Sequence, residues 1–149
     1  MSSVTVASKI GAKSRSVTRG RFALFGLATV VAATVANVLV YYLGAVIVGY
    51  DPLFVILQNA GGTIFFTIPA AIGAVVLYAG LLRTTRRPER IFTIISAVVL
   101  ALSIVPDITY IPTVEGSSNG QTAVLILMHI VAAGVIVGML TSYSRRRAS

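Results

Sequence analysis

The sequence predicts an all-α fold, an integral membrane up-down four-helix bundle with both termini on one side. Three observations predict it. Of 149 residues 56% are hydrophobic, with a mean hydropathy of +0.93, above the share an ordinary soluble domain carries. Four long stretches are nearly free of charge. All twelve Lys and Arg residues lie at or beyond the ends of those stretches, in three clusters that four crossings would bring to one face of the membrane.

Taken in order, residues 1–21 are rich in Ser, Thr, Lys and Arg with little apolar periodicity, and they read as a mobile basic cytoplasmic tail. No residue from Phe22 to Tyr50 is charged, so a first span is expected over residues 22–48, more than the roughly 20 residues a crossing helix needs. A cleaved signal peptide competes for this stretch, with residues 22–33 as its apolar region and Thr34, Val35 and Ala36 as its small-residue site. The apolar run continues beyond Asn37, and cleavage there would leave an apolar N-terminus, which favours the span.

Asp51-Pro52 signals a turn in which Asp caps and Pro opens the next helix. The second span is expected over residues 62–82, with a start as early as Leu53 if Gly61-Gly62 only interrupts it. Pro69 inside it leaves the Phe65 carbonyl without its helical donor and predicts a kink. Arg83, Arg86, Arg87 and Arg90 form a charged hinge, and Pro88 suits the first turn of a third span over residues 90–111, stopped by Pro112. Residues 113–121 read as a helix connection, residues 122–143 as the fourth span, and residues 145–149 as a basic cytoplasmic tail.

The positive-inside rule gives this bundle its orientation. Arg83, Arg86, Arg87 and Arg90, together with Arg145, Arg146 and Arg147, act as topology anchors on the side of the N-terminal cluster, while the other two loops hold Asp51 and Glu115 and no Lys or Arg. That charge imbalance argues for a single orientation in an inner (plasma) membrane, with both termini cytoplasmic, and against a dual-topology exporter. In the absence of tryptophan, Tyr41, Tyr42, Tyr50 and Tyr110 mark one interface, and Tyr78 and Tyr143 the other.

Polar residues inside the spans fall on helical stripes: Thr34, Asn37 and Tyr41; Asn59, Thr63 and Thr67; Ser103 and Asp107; Thr122 and His129. At a rise of about 1.5 Å per residue, Asn37, Thr67 and Asp107 sit about 22 to 24 Å up a core of about 30 Å, with His129 about 10 Å below the outer end. All four helices therefore carry polar groups in the outer third. One reading makes them hydrogen-bond glue between helices. The other makes Asn37, Thr63, Thr67, Ser103, Asp107 and His129 the lining of an outward-facing polar pocket, because ionisable residues within a membrane mark pathways and binding sites. Pro106 unpairs the Leu102 carbonyl and adds the irregularity a pocket needs.

Gly134 and Gly138 lie four apart, about 140° and 180° round the helix from His129, and read as a helix-packing seam. Ala28, Ala32 and Ala36, and likewise Ala70 and Ala74, offer further seams. With no cysteine, and one histidine with one nearby carboxylate, the chain carries no metal spacing; no nucleophile motif is present, so neither an enzyme nor a cofactor is expected. Topology accounts for the basic residues and no stacking aromatics lie among them, which argues against nucleic acid.

Arg87-Pro88, Ser103 with Pro106-Asp107, and Met128-His129 followed by Val131-Ala132-Ala133 resemble an uncharacterised family of small bacterial membrane proteins with four spans. The resemblance covers about residues 62–143 and implies the four-span fold, with no assigned chemistry. The first functional expectation is a structural or accessory membrane component, alone, as a homo-oligomer or in a larger complex, in contact with the bilayer and with anionic headgroups at its inner face. The alternative is a binding or transport protein for a small ligand, lipid or proton, centred on Asp107 and His129.

Overall fold

The structure is a computed structural model that describes the backbone of residues 2–148 and the side chains of residues 20–144. The described residues form four α-helices: α1 (Ser2–Val48), α2 (Ala60–Thr84), α3 (Pro88–Thr109) and α4 (Asn119–Ala148). Single turns of 3₁₀ helix, Val55–Leu57 and Ile111–Thr113, follow α1 and α3, and no strand occurs among the described residues. The stretches Gly20–Val48, Ala60–Thr84, Pro88–Thr113 and Asn119–Ser144 are each long and apolar enough to cross a membrane. The four-helix expectation stands.

Several boundaries differ from the sequence reading, each for a local reason. The basic segment read as a tail continues α1 as helix from Ser2, because no proline interrupts residues 1–51. Asp51 does not cap a helix; its carboxylate accepts the Leu53 N–H at 2.8 Å and closes a turn. The cap of α2 is Asn59, whose Oδ1 accepts the Gly62 N–H, so Gly61-Gly62 belongs to the first helical turn. Asn119-Gly120 opens α4, where the Ser118 hydroxyl accepts the Gln121 N–H at 3.3 Å.

α1 is the element against which the bundle is assembled. Thr29, Ala33, Asn37 and Tyr41 recur at every fourth position and are all buried, a straight stripe along one face. Small residues on that face let neighbours approach: a Cβ added to Gly26 would stand 2.7 Å from Val75 of α2, and one added to Gly44 would stand 2.8 Å from Val124 of α4. α1 thus packs along both α2 and α4, α3 packs on α4, and α2 and α3 touch sparingly. Gly49 ends α1 in the left-handed region at φ 70°, where a side chain would be strained.

Two apolar clusters fill the interior. Towards the α1–α2 connection, Tyr41, Phe54, Leu57, Ile111, Val124, Leu125 and Met128 pack together. Tyr50 closes this cluster by donating its hydroxyl to the Tyr41 carbonyl at 2.6 Å; burial, with Tyr41 adding to it, pushes the Tyr50 hydroxyl up to about 12. At the opposite end Ala33, Ala71, Tyr78, Phe92, Ile136 and Leu140 form the second cluster, and Phe22 meets Tyr143 edge-on at 5.3 Å. That ring contact brings the start of the first span beside the end of the fourth, as up-down topology requires. Arg21 and the Arg83–Arg90 hinge therefore share one end of the bundle, and Asp51 and Glu115 the other. The outer surface is apolar, with Val46, Leu24, Phe65 and Phe66 each at least 70% exposed, the surface a bilayer would cover.

Candidate polar-ended cavity

Asp107 and His129 meet. Asp107 lies in the last turn of α3, His129 in α4, and the His129 Nδ1 stands 3.0 Å from the Asp107 Oδ2. The same nitrogen is 3.0 Å from the Leu125 carbonyl, one turn back along α4. Both neighbours are acceptors, so Nδ1 must carry the hydrogen and the neutral ring keeps its lone pair on Nε2. One hydrogen cannot serve two acceptors well, and the Asp107 Oδ2, fully buried, receives no well-aligned hydrogen bond. The pair is asymmetric in exposure: the Asp107 side chain is 7% exposed and the imidazole 38%.

A second network fixes Asn37. The Thr67 hydroxyl donates to the Thr63 carbonyl at 2.7 Å, which spends its hydrogen, so towards Asn37 it can only accept. The Asn37 amide nitrogen therefore faces Thr67, at 3.0 Å, and Oδ1 is turned the other way. That oxygen is buried and has no hydrogen-bond partner. On α3, the Ser103 hydroxyl likewise spends its hydrogen on the Leu100 carbonyl, at 2.8 Å.

These groups line one cavity of about 590 Å³. Its walls run from Gly62 to Leu77 on α2, from Phe92 to Asp107 on α3 and from Leu125 to Val137 on α4, with Asn37 reaching in from α1. At about 1.5 Å per residue the α2 and α3 walls are each about 22 Å long, so the space is a slot between α2 and α3, which touch sparingly. The volume falls in the range of about 300 to 1,000 Å³ common for small-molecule sites. Thr63, Thr67, Asn37, Ser103, Asp107 and His129 gather near one end; towards the other the lining is apolar apart from Ser96.

All six pocket residues expected from the stripes thus border one space. Thr34, on the same α1 stripe by spacing, instead bonds the Val30 carbonyl at 2.8 Å and is not among the lining residues. The seam read at Gly134 and Gly138 does not form within the bundle: both are exposed, and an added Cβ would meet nothing within 4 Å. Close approaches between helices occur instead at Gly26, at Gly44 and at Gly120 against Val48, and neither Gly26 nor Gly44 has a glycine four residues away to mark it. Arg83, Arg86, Arg87 and Arg90 are exposed at the hinge, while the side chains of Arg145, Arg146 and Arg147 lie outside the described residues. Two candidate ligands, Asp107 and His129, are too few for a metal centre, and no group of three His, Cys, Asp or Glu occurs among the described residues.

A family model described as a family of unknown function, DUF6069, matches residues 17–146. The chain belongs to this family. The DUF6069 match is wider than the resemblance over residues 62–143, since it takes in the whole first span, and every cavity residue falls within it. No curated protein and no solved structure matches the chain. Membership of DUF6069 brings no assigned activity, and the chemistry must be argued from the cavity itself.

Proposed function

We propose that the protein is a membrane-embedded binding protein whose cavity takes a small amphipathic ligand. The polar part of the ligand sits at Asp107, His129 and Asn37, and its apolar part lies in the slot between α2 and α3. The carrying observation is that four helices bring Asn37, Thr63, Thr67, Ser103, Asp107 and His129 to the same end of a long apolar space. Hydrogen-bond glue alone requires no such space, since glue residues pack helices together. Entry is from the bilayer, through the gap where α2 and α3 make little contact.

The orientation belongs to the same proposal: both termini and the Arg83–Arg90 hinge are cytoplasmic in an inner membrane, and the polar end of the cavity faces outward. A cysteine introduced by Ser118→Cys, in a chain with no other, is expected to react with an impermeant maleimide on intact cells; reaction only after lysis contradicts the orientation.

An accessory role remains the second reading, favoured by the exposed Gly134 and Gly138, which leave a face another helix could approach closely. Gly73 separates the two readings. It lines the cavity, and an added Cβ there meets nothing within 4 Å, so Gly73→Trp fills the slot with little disturbance of the backbone. Native mass spectrometry of protein purified in mild detergent is expected to find a retained small amphiphile on the wild type and none on Gly73→Trp. Equal retention by the two, or none by either, contradicts the binding role.

A further inference from the structure

Resting on the proposal that the cavity binds an amphiphile, the hydrogen-bond inventory of its polar end specifies the head group. We infer that the ligand is a single-chain amphiphile with an ammonium head, held by the Asp107 carboxylate and the Asn37 carbonyl oxygen. Two buried oxygens on residues that line the cavity lack a well-aligned hydrogen bond: Asn37 Oδ1 has no partner, and Asp107 Oδ2 has only the His129 Nδ1 contact at 3.0 Å; both residues are 5% exposed. A buried polar group left unpaired costs about 1 to 3 kcal/mol, so a native site with two such groups asks for a partner from outside the protein.

Both oxygens are acceptors. The Asn37 orientation is not arbitrary, because the Thr63–Thr67–Asn37 chain dictates which end of the amide faces Thr67. The Ser103 hydroxyl has also spent its hydrogen, so its oxygen can offer only lone pairs to a guest. A head group rich in hydrogen-bond donors completes this set. An ammonium offers three donors and a charge opposite to that of Asp107, which makes its bonds the charge-assisted kind.

The distribution of basic residues narrows the class further. Every Lys and Arg lies at residues 9–21, 83–90 or 145–147, at the opposite end of the bundle from the acceptors. Nothing cationic among the described residues near Asp107 is available to meet a phosphate except His129, whose Nδ1 is engaged with Leu125 and Asp107. A phospholipid amine would bring its phosphate to a site with no Lys or Arg and a carboxylate of like charge, whereas a simple alkylamine brings no anion. The slot suits the tail: 590 Å³ spread over about 22 Å gives a mean cross-section of about 27 Å², the shape of an elongated chain.

The test is competition on the full chain in detergent micelles. Dodecylamine, dodecanamide and dodecanoate share one tail and differ in the head, and native mass spectrometry reads which is retained from an equimolar mixture. Dodecylamine is expected to be retained about tenfold over dodecanoate, about 1.4 kcal/mol. Asp107→Asn is expected to erase the preference for the amine over the amide, while circular dichroism and gel filtration report that the variant is folded. Lyso-phosphatidylethanolamine, a single-chain amine with a phosphate, is expected to compete poorly. If the three dodecyl probes are retained equally and Gly73→Trp releases all of them, the cavity binds amphiphiles and the ammonium assignment is wrong. If lyso-phosphatidylethanolamine competes as well as dodecylamine, the exclusion of phosphate is wrong. If no probe is retained, or Gly73→Trp changes nothing, the cavity reading fails with it.

Discussion

The seams along α1 and the seam between α2 and α3 are built on opposite principles. Along α1, glycines at 26 and 44 bring backbones within reach of Val75 and Val124, and the stripe of Thr29, Ala33, Asn37 and Tyr41 is buried throughout. Between α2 and α3 the helices stand apart, and the space holds the cavity with its polar end at Asn37, Asp107 and His129. The contrast teaches where this bundle is held closed and where it is left open. Tight seams hold three helices to a common frame, and the loose one leaves an open space with a polar end.

Thermal unfolding in detergent, measured on one set of variants, sharpens this contrast. Gly44→Leu is expected to have the largest effect, a loss of about 1 to 3 kcal/mol, because its side chain would collide with Val124 and with the Tyr50 hydroxyl in a closed seam. Asp107→Asn comes next, with a loss below about 2 kcal/mol, the scale of a hydrogen bond between helices in a membrane, so that its main effect is on binding. Gly73→Leu is expected to change stability by less than about 0.5 kcal/mol, since open space surrounds that position. A Gly73→Leu loss equal to that of Gly44→Leu would erase the distinction between the seams.

Much of the architecture was legible in the sequence because a bilayer imposes one strong rule, that a crossing helix must be long and uncharged. The four spans followed from that rule, and helical spacing alone aligned Asn37, Thr63, Thr67, Ser103, Asp107 and His129. Spacing says which residues share a face but not which faces meet. That α3 packs on α4 rather than on α1, and so brings Asp107 to His129, is a tertiary outcome. The same limit explains the glycines: Gly134 and Gly138 carry the familiar spacing yet face outward, while Gly44 stands alone in sequence and sits at a close contact. Asn59 shows the local version, since it continues the Thr63 and Thr67 stripe by spacing but serves as the cap of α2.

The central claim is that Asp107 and His129 form one unit at the polar end of an occupiable cavity. The chain contains one histidine, so ¹⁵N NMR of imidazole-labelled protein in nanodiscs observes that unit without assignment. The expected spectrum is that of the Nδ1–H tautomer, with shifts that move on Asp107→Asn and again when dodecylamine is added to the wild type but not to Gly73→Trp. An Nε2–H tautomer, or a signal indifferent to Asp107→Asn, would contradict the account.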